Sequence, residues 1–197
     1  MMQLHYTPTS PYARKVRVVI REKGLGDRVE EVVSSPLSDE GVPGHPLNKV
    51  PALRTEHGDW LFDSPLLCAY LDALDGKPSL SVHSTSSVSR WLAESLADGV
   101  LDRAVPHVLE SRRPEREQSS YWQTRRLAAI ARALQEMARV LNDAPSAFDI
   151  ASISFVCTLA YVDFRLPQLA WKAAHPAMAD WLAEQVERPS FAATHYG

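Results

Sequence analysis

The spacing of apolar side chains changes character once along the chain. Up to about residue 75, short apolar runs alternate with longer periodic stretches. Gln3–Thr7 is a short run ended by Pro8, which suits a buried strand. Pro11–Lys23 sets Val16, Val19 and Ile20 on one helical face and meets a stop at Gly24. Arg28–Val33 alternates β-branched residues with Glu, the mark of a second strand. Ala52–Thr55 and Trp60–Phe62 flank His57-Gly58-Asp59, a hairpin pattern. Ser64–Leu74 repeats Leu67, Tyr70, Leu71 and Leu74 at helical spacing, with Asp63 or Ser64 as cap and Pro65 early in the first turn. The order β-α-β and then β-β-α predicts a small α/β sandwich.

Beyond residue 88 the strand signals cease. Residues 88–110 place Val88, Trp91, Leu92, Leu96, Val100, Leu101, Val105 and Val108 on one broad stripe. Residues 121–141 place Leu127, Ile130, Leu134, Met137 and Leu141 at alternating spacings of three and four, a bundle pattern. Residues 149–165 are apolar almost all round, so this helix is expected to be central, and Ser146 with Asp149 forms a capping-box-like start. A last helix runs over 177–186 and stops before Pro189. Gly, Pro, Ser and Thr dominate residues 76–89 and read as a linker. The expected organisation is an α/β domain over 1–77, a linker over 78–87 and an all-helical domain over 88–197.

Composition narrows the classes. The chain is 45% hydrophobic and 23% charged with five Trp, which argues against disorder. A net charge of -3 argues against a dedicated nucleic-acid binder. No apolar run approaches the roughly 20 residues that span a bilayer. The first residues lack the apolar core of a secretory signal, so a cytoplasmic protein is expected. Cys68 and Cys157 make neither a metal set nor a disulfide framework, and the His residues lack metal-ligand spacing.

Three segments have the residue types for chemistry. Ser10-Pro11-Tyr12-Ala13-Arg14 lies between a strand end and a helix start, where unpaired amides and the helix dipole stabilise an anion or a thiolate. The plainer reading of Ser10 is an N-cap before Pro at the first helical position. Val50-Pro51 directly precedes a strand; a fixed turn there leaves the Val50 backbone to pair with an extended peptide. The plainer reading is an ordinary loop. Asp63-Ser64 opens a helix and can receive an amino-acid head group: carboxylate on the hydroxyl and amides, ammonium on Asp63. The plainer reading is an ordinary N-cap pair.

In this order and spacing, the segments resemble a cytosolic glutathione S-transferase over essentially the whole chain. The resemblance rests on Ser10–Arg17 (SPYARKVR), His45–Leu53 (HPLNKVPAL), Leu61–Ser64 (LFDS), the Ser146…Asp149 box and the close Arg188-Pro189-Ser190-Phe191. Bacterial members whose first helix begins Ser-Pro-Phe are the nearest in pattern, with a serine of the theta, zeta and beta-like kind. The resemblance implies a thioredoxin-like domain that binds glutathione and an all-helical domain that covers a small electrophile. It implies Val50 before a cis Pro51 pairing with the cysteinyl backbone, Asp63 and Ser64 on the γ-glutamyl group, and Lys49 near the glycyl end. It implies Ser10 as donor to the thiol; Tyr6, at the end of the first strand, is the alternative donor. Asp98 resembles an acidic residue that reaches the γ-glutamyl amine across a homodimer. Two positions depart from the pattern, both beside Lys49: His45 stands where Asn is usual, and Asn48 where Gly is common.

The expected activity is conjugation of glutathione to a small electrophile, in detoxification, with no metal. A hydroxyl donor and a helix N-terminus aimed at sulfur lower the thiol's pKa from about 8.5. Val105, His107 and Leu109 are candidates to line the electrophile's side. A glutathione-dependent isomerase or lyase is the second reading, against which counts the absent Ser-Ser-Cys start of the zeta type. A non-catalytic glutathione-binding protein is the third. The absence of Cys over residues 9–13 argues against disulfide exchange.

Overall fold

The computed structural model describes residues 1–74, 78–81, 88–142 and 148–196. The chain forms two compact units, Met1–Ser81 with Glu187–Gly197, and Val82–Val186.

The first unit is a thioredoxin-like α/β layer. Its strands are β1 (Met2–Tyr6), β2 (Val29–Val33), β3 (Ala52–Arg54) and β4 (Trp60–Phe62), in the order β2-β1-β3-β4. β1 and β2 are parallel, with Leu4 opposite Glu31, and the crossover between them contains α1 (Pro11–Glu22). β1 pairs antiparallel with β3, Leu4 opposite Leu53, and β3 with β4, Leu53 opposite Leu61. α2 spans Ser64–Asp72 and packs against α1. Leu4, Val16, Val19, Ile20, Leu53, Leu67 and Leu71 lie in the core; of the positions that the helical spacing singles out, Val16, Val19, Ile20, Leu67 and Leu71 are buried, while Tyr70 and Leu74 are half-buried.

The end of the chain departs from the expected division. Residues 187–197 pack with the first unit instead of closing the helical domain. Pro189 starts a short helix instead of only ending one: α8, Pro189–Ala192, follows α7 (Pro176–Val186) with Arg188 as N-cap. Arg188 and Ser190 both reach Glu22 at the end of α1, at 3.0 and 2.6 Å, and Phe191 is fully buried. Polar anchors on α1 therefore decide where this segment goes. Next to Glu22 in the chain, the buried Lys23 Nζ lies 3.0 Å from Asp72, which also accepts the Leu80 amide. The expected linker is described only over 78–81; residues 82–87 lie outside the described residues.

Among its described residues the second unit has helices and no strand: α3 (Val88–Ser111), α4 (Ser120–Asn142), α5 (Ile150–Arg165), α6 (Trp171–Ala174) and α7. α5 is buried along most of its length, as its all-round apolarity predicts. On α4, Ile130, Leu134 and Met137 are buried as expected. On α3 the expected stripe fails at its start. Val88, Trp91 and Leu92 are exposed, while Arg90, Ala93, Glu94 and Ala97 face inward. The reason is Arg90, whose guanidinium reaches both carboxylate oxygens of Asp149 and the hydroxyl of Ser152 at the start of α5. Turning Arg90 inward turns its apolar neighbours outward. Asp149 is the N-cap of α5 and accepts the Ser152 amide at 2.9 Å; Ser146, its expected capping partner, lies outside the described residues. Among the described residues, no single helix is long and apolar enough to cross a membrane, and no metal-binding group is found.

Candidate functional site

The candidate residues of the first unit gather at one edge of the sheet, where β1 ends before α1, a loop enters β3, and β4 ends before α2. Ser10 is the N-cap of α1, with Pro11 at the first helical position. Its Oγ accepts the Ala13 amide at 3.2 Å. The capping reading and the donor reading are compatible: the lone pair serves the helix, and the hydroxyl proton remains for another acceptor. Accepting one hydrogen bond polarises the hydroxyl for donating the next. Tyr6, the alternative donor, ends β1 and is half-buried. Its ring faces the Arg17 guanidinium at 4.3 Å, two turns along α1, and Arg17 is itself paired with Glu31 at 2.7 Å.

The loop before β3 is held from several sides. The Trp60 ring lies directly on Gly44, where a Cβ would come within 1.9 Å of it and where φ is +70, so only glycine fits. Asn48 is at φ 50, the left-handed region in which Gly is easiest and Asn next. Its amide binds across the loop, accepting from Val42 N at 2.6 Å and donating to Pro36 O at 2.7 Å. His45 Nδ1 accepts the Leu47 amide at 3.2 Å, which is the turn that an Asn oxygen makes in the same place. Its ring packs on Phe62 at 4.6 Å. Both departures from the family's pattern thus keep the turn. Lys49 is exposed. The Val50–Pro51 peptide is cis, and among the described residues neither the N–H nor the C=O of Val50 has a backbone partner.

The start of α2 is unlike the ordinary cap pair. Asp63 stands at the cap position but its side chain bonds no amide; it is exposed, at φ 79. A non-glycine residue in this region costs about 1–3 kcal/mol and marks functional segments more often than ordinary ones. Ser64 is 2% exposed, and its Oγ has no hydrogen-bond partner. A buried hydroxyl left so costs about 1–3 kcal/mol. His45 is the residue here that the sequence treats only as a departure. Burial holds its pKa below the ordinary value of 6.5, Lys49 lowers it further, and Asp63 opposes them. Its ring therefore stands in the field of both candidate charges. Only the packing reveals this, because His45 and Asp63 lie on separate elements.

Other candidates lie in the second unit. Asp98 is half-buried on α3. His107, also on α3, is buried with Nδ1 unpartnered, and burial and then Arg126 push its pKa down. Val105 is half-buried and Leu109 exposed.

Residues 9–74 match the model of the glutathione S-transferase N-terminal domain and residues 120–184 that of the C-terminal domain. The chain belongs to the glutathione S-transferase family and has its fold. It is 32% identical to the uncharacterized GST-like protein YibF of Escherichia coli K12, over 98% of each chain. It is similar to a glutathione transferase family member of Pseudomonas fluorescens Pf-5 solved with bound glutathione, at 35% identity and a TM-score of 0.91, each chain covered in full. That family member has also been solved with bound S-(propanoic acid)-glutathione. A glutathione S-transferase of Methylobacillus flagellatus, solved with glutathione bound, is 35% identical with a TM-score of 0.93, again over both whole chains.

Proposed function

We propose that the first unit binds glutathione and that the protein transfers it to a small electrophile. The observation that carries the reading is the buried, unpartnered Oγ of Ser64 beneath Asp63. A γ-glutamyl group answers both: its carboxylate accepts from Ser64 and from first-turn amides of α2, and its ammonium meets the Asp63 carboxylate. The Val50 N–H and C=O pair with the cysteinyl backbone, in register with β3. Lys49 attracts the glycyl carboxylate. This places the thiol at the start of α1.

Ser10 donates its hydroxyl proton to sulfur, and the helix end adds positive potential. The thiol proton leaves to solvent. The thiolate then attacks an electrophilic carbon; the S–C bond forms while the bond to the leaving group breaks, and the leaving group takes that electron pair. A glutathione substituted on sulfur, of the kind bound by the Pseudomonas protein, is what such a reaction leaves. No step calls on a protein thiol: Cys68 and Cys157 are both buried. The reading includes a cytoplasmic homodimer acting in detoxification, with Asp98 reaching the partner's ligand; exposed Trp91 and Leu92 on α3 support an apolar contact.

Calorimetry tests the binding. The wild type is expected to bind glutathione, Ser64→Ala to weaken it, and the absence of heat at millimolar glutathione would sink the reading. Conjugation across a panel of electrophiles tests the transfer. Ser10→Ala is expected to lose most of the rate while Tyr6→Phe keeps it; the reverse result would move the donor role to Tyr6.

A further inference from the structure

Among the described residues, Arg14 is a buried cation whose partners are all neutral. It is 3% exposed, on the first turns of α1. Its Nη2 donates to the Phe191 carbonyl at 3.3 Å and its Nε to Thr194 Oγ1 at 3.5 Å. Its guanidinium lies 4.5 Å from the Tyr196 ring centroid and 5.9 Å from that of Phe191. Among the described residues no carboxylate lies within ion-pair distance of it. Other cations enclosed in the protein are treated differently: Arg17 meets Glu31, Lys23 meets Asp72, and Arg90 meets Asp149.

Enclosing a charge without a counter-charge is costly, and the cost falls if an anion shares the site. The location is informative. Arg14 follows the N-cap Ser10 by four residues, so the two lie on one face of α1, about 6 Å apart along the axis. Helical side chains lean toward the N-terminus, which is the end where sulfur would sit. All four groups that hold Arg14 come from residues 191–196, and this segment is fixed to the other end of α1 by Arg188 and Ser190 on Glu22. Carbonyl, hydroxyl and aromatic faces exclude water from the guanidinium without cancelling its charge, so its field stays unscreened.

We propose that the C-terminal segment 188–196 holds Arg14 as an un-neutralised positive charge that stabilises the glutathione thiolate beside Ser10. This inference rests on the glutathione reading above. Arg14 acts through space and need not touch the ligand. The end of the chain is then a working part of the site, although it follows the helical unit in sequence.

The test uses the full chain with glutathione, whose thiolate is titrated by ultraviolet absorbance between pH 5 and 9, and S-methylglutathione, which has no thiol. Arg14→Gln should raise the midpoint of bound glutathione by about one pH unit, a tenfold loss of thiolate on the rising limb. Arg14→Lys, which keeps the charge, should stay within a few tenths of the wild type. Removal of residues 194–197 leaves Arg14 in place but opens it to water, and should raise the midpoint by a smaller amount. S-methylglutathione affinity should change less than twofold in all three. An unmoved midpoint in Arg14→Gln, or an equal loss of affinity for both ligands, would overturn the inference while leaving the glutathione reading intact. Failure of the wild type to bind S-methylglutathione would overturn both. Should Arg14→Gln not fold, the truncated chain decides alone, and an unmoved midpoint there defeats the proposal.

Discussion

Two helices of this protein begin with the same residue types and use them in opposite ways. At the start of α5, Asp149 caps the Ser152 amide, the Ser152 hydroxyl bonds back to Asp149, and Arg90 clamps both. At the start of α2, Asp63 caps nothing and sits at φ 79, while the buried Ser64 hydroxyl has no partner. The first arrangement is closed within its own unit and serves folding. The second is incomplete and strained, which makes sense if something else completes it. Residue identity does not separate a structural cap from a binding subsite; hydrogen-bond satisfaction does.

That contrast can be broken at several points. The largest effect is expected at the closed site. Asp149→Ala leaves Arg90 as an enclosed charge and should cost about 3–5 kcal/mol in urea unfolding. Glutathione affinity per folded molecule should not change. If Asp149→Ala were as stable as the wild type, the closed site would not be structural. At the open site the pattern inverts. Ser64→Ala should weaken glutathione binding by roughly 10–100-fold, the worth of about 1.5–3 kcal/mol for a hydrogen bond to a charged group, while stability holds or rises. A loss of stability without loss of affinity would put Ser64 in the same class as Ser152.

Asp63→Gly carries a smaller effect of mixed sign. Glycine removes the strain at φ 79 and should stabilise by about 1 kcal/mol, while loss of the carboxylate weakens binding about tenfold. Calorimetry beside thermal unfolding reads both. The smallest effect is at His45. Burial and Lys49 hold it neutral below its ordinary value, so the folded protein binds fewer protons there than the unfolded chain. Its contribution is present above pH about 6.5 and is lost as the pH falls through the lowered folded value. Protonated Nδ1 cannot accept the Leu47 amide, and the loop holding Lys49 and Val50 loosens. Glutathione affinity should therefore drop a few-fold on acidification. His45→Asn supplies an acceptor that does not titrate and should flatten the profile; a His45→Asn profile as steep as the wild type's would remove His45 from the account.

The helices and strands were legible because burial imposes period 2 or 3.6 on the residues that face a core. Val16, Val19, Ile20, Ile130, Leu134 and Met137 obey that rule. The rule misleads on α3, where a buried ion pair outweighs three apolar side chains and turns the helix by a fraction of a turn. It was silent on residues 187–197, whose place is set by Glu22 and Arg14, far away in sequence.

For the candidate site, local order in the chain determined where Ser10, Val50-Pro51 and Asp63-Ser64 would fall: at strand ends and helix starts, where backbone groups lack partners. That follows from turn chemistry and capping, which act over a few residues. Tertiary packing decided the rest. It showed Ser64 to be enclosed without a partner, the Tyr6 ring to face Arg17, His45 to do the work of Asn, and Arg14 to be surrounded by residues 191–196. Each of these depends on which side chains meet across large sequence distances and how far water is excluded between them, and no local pattern encodes that.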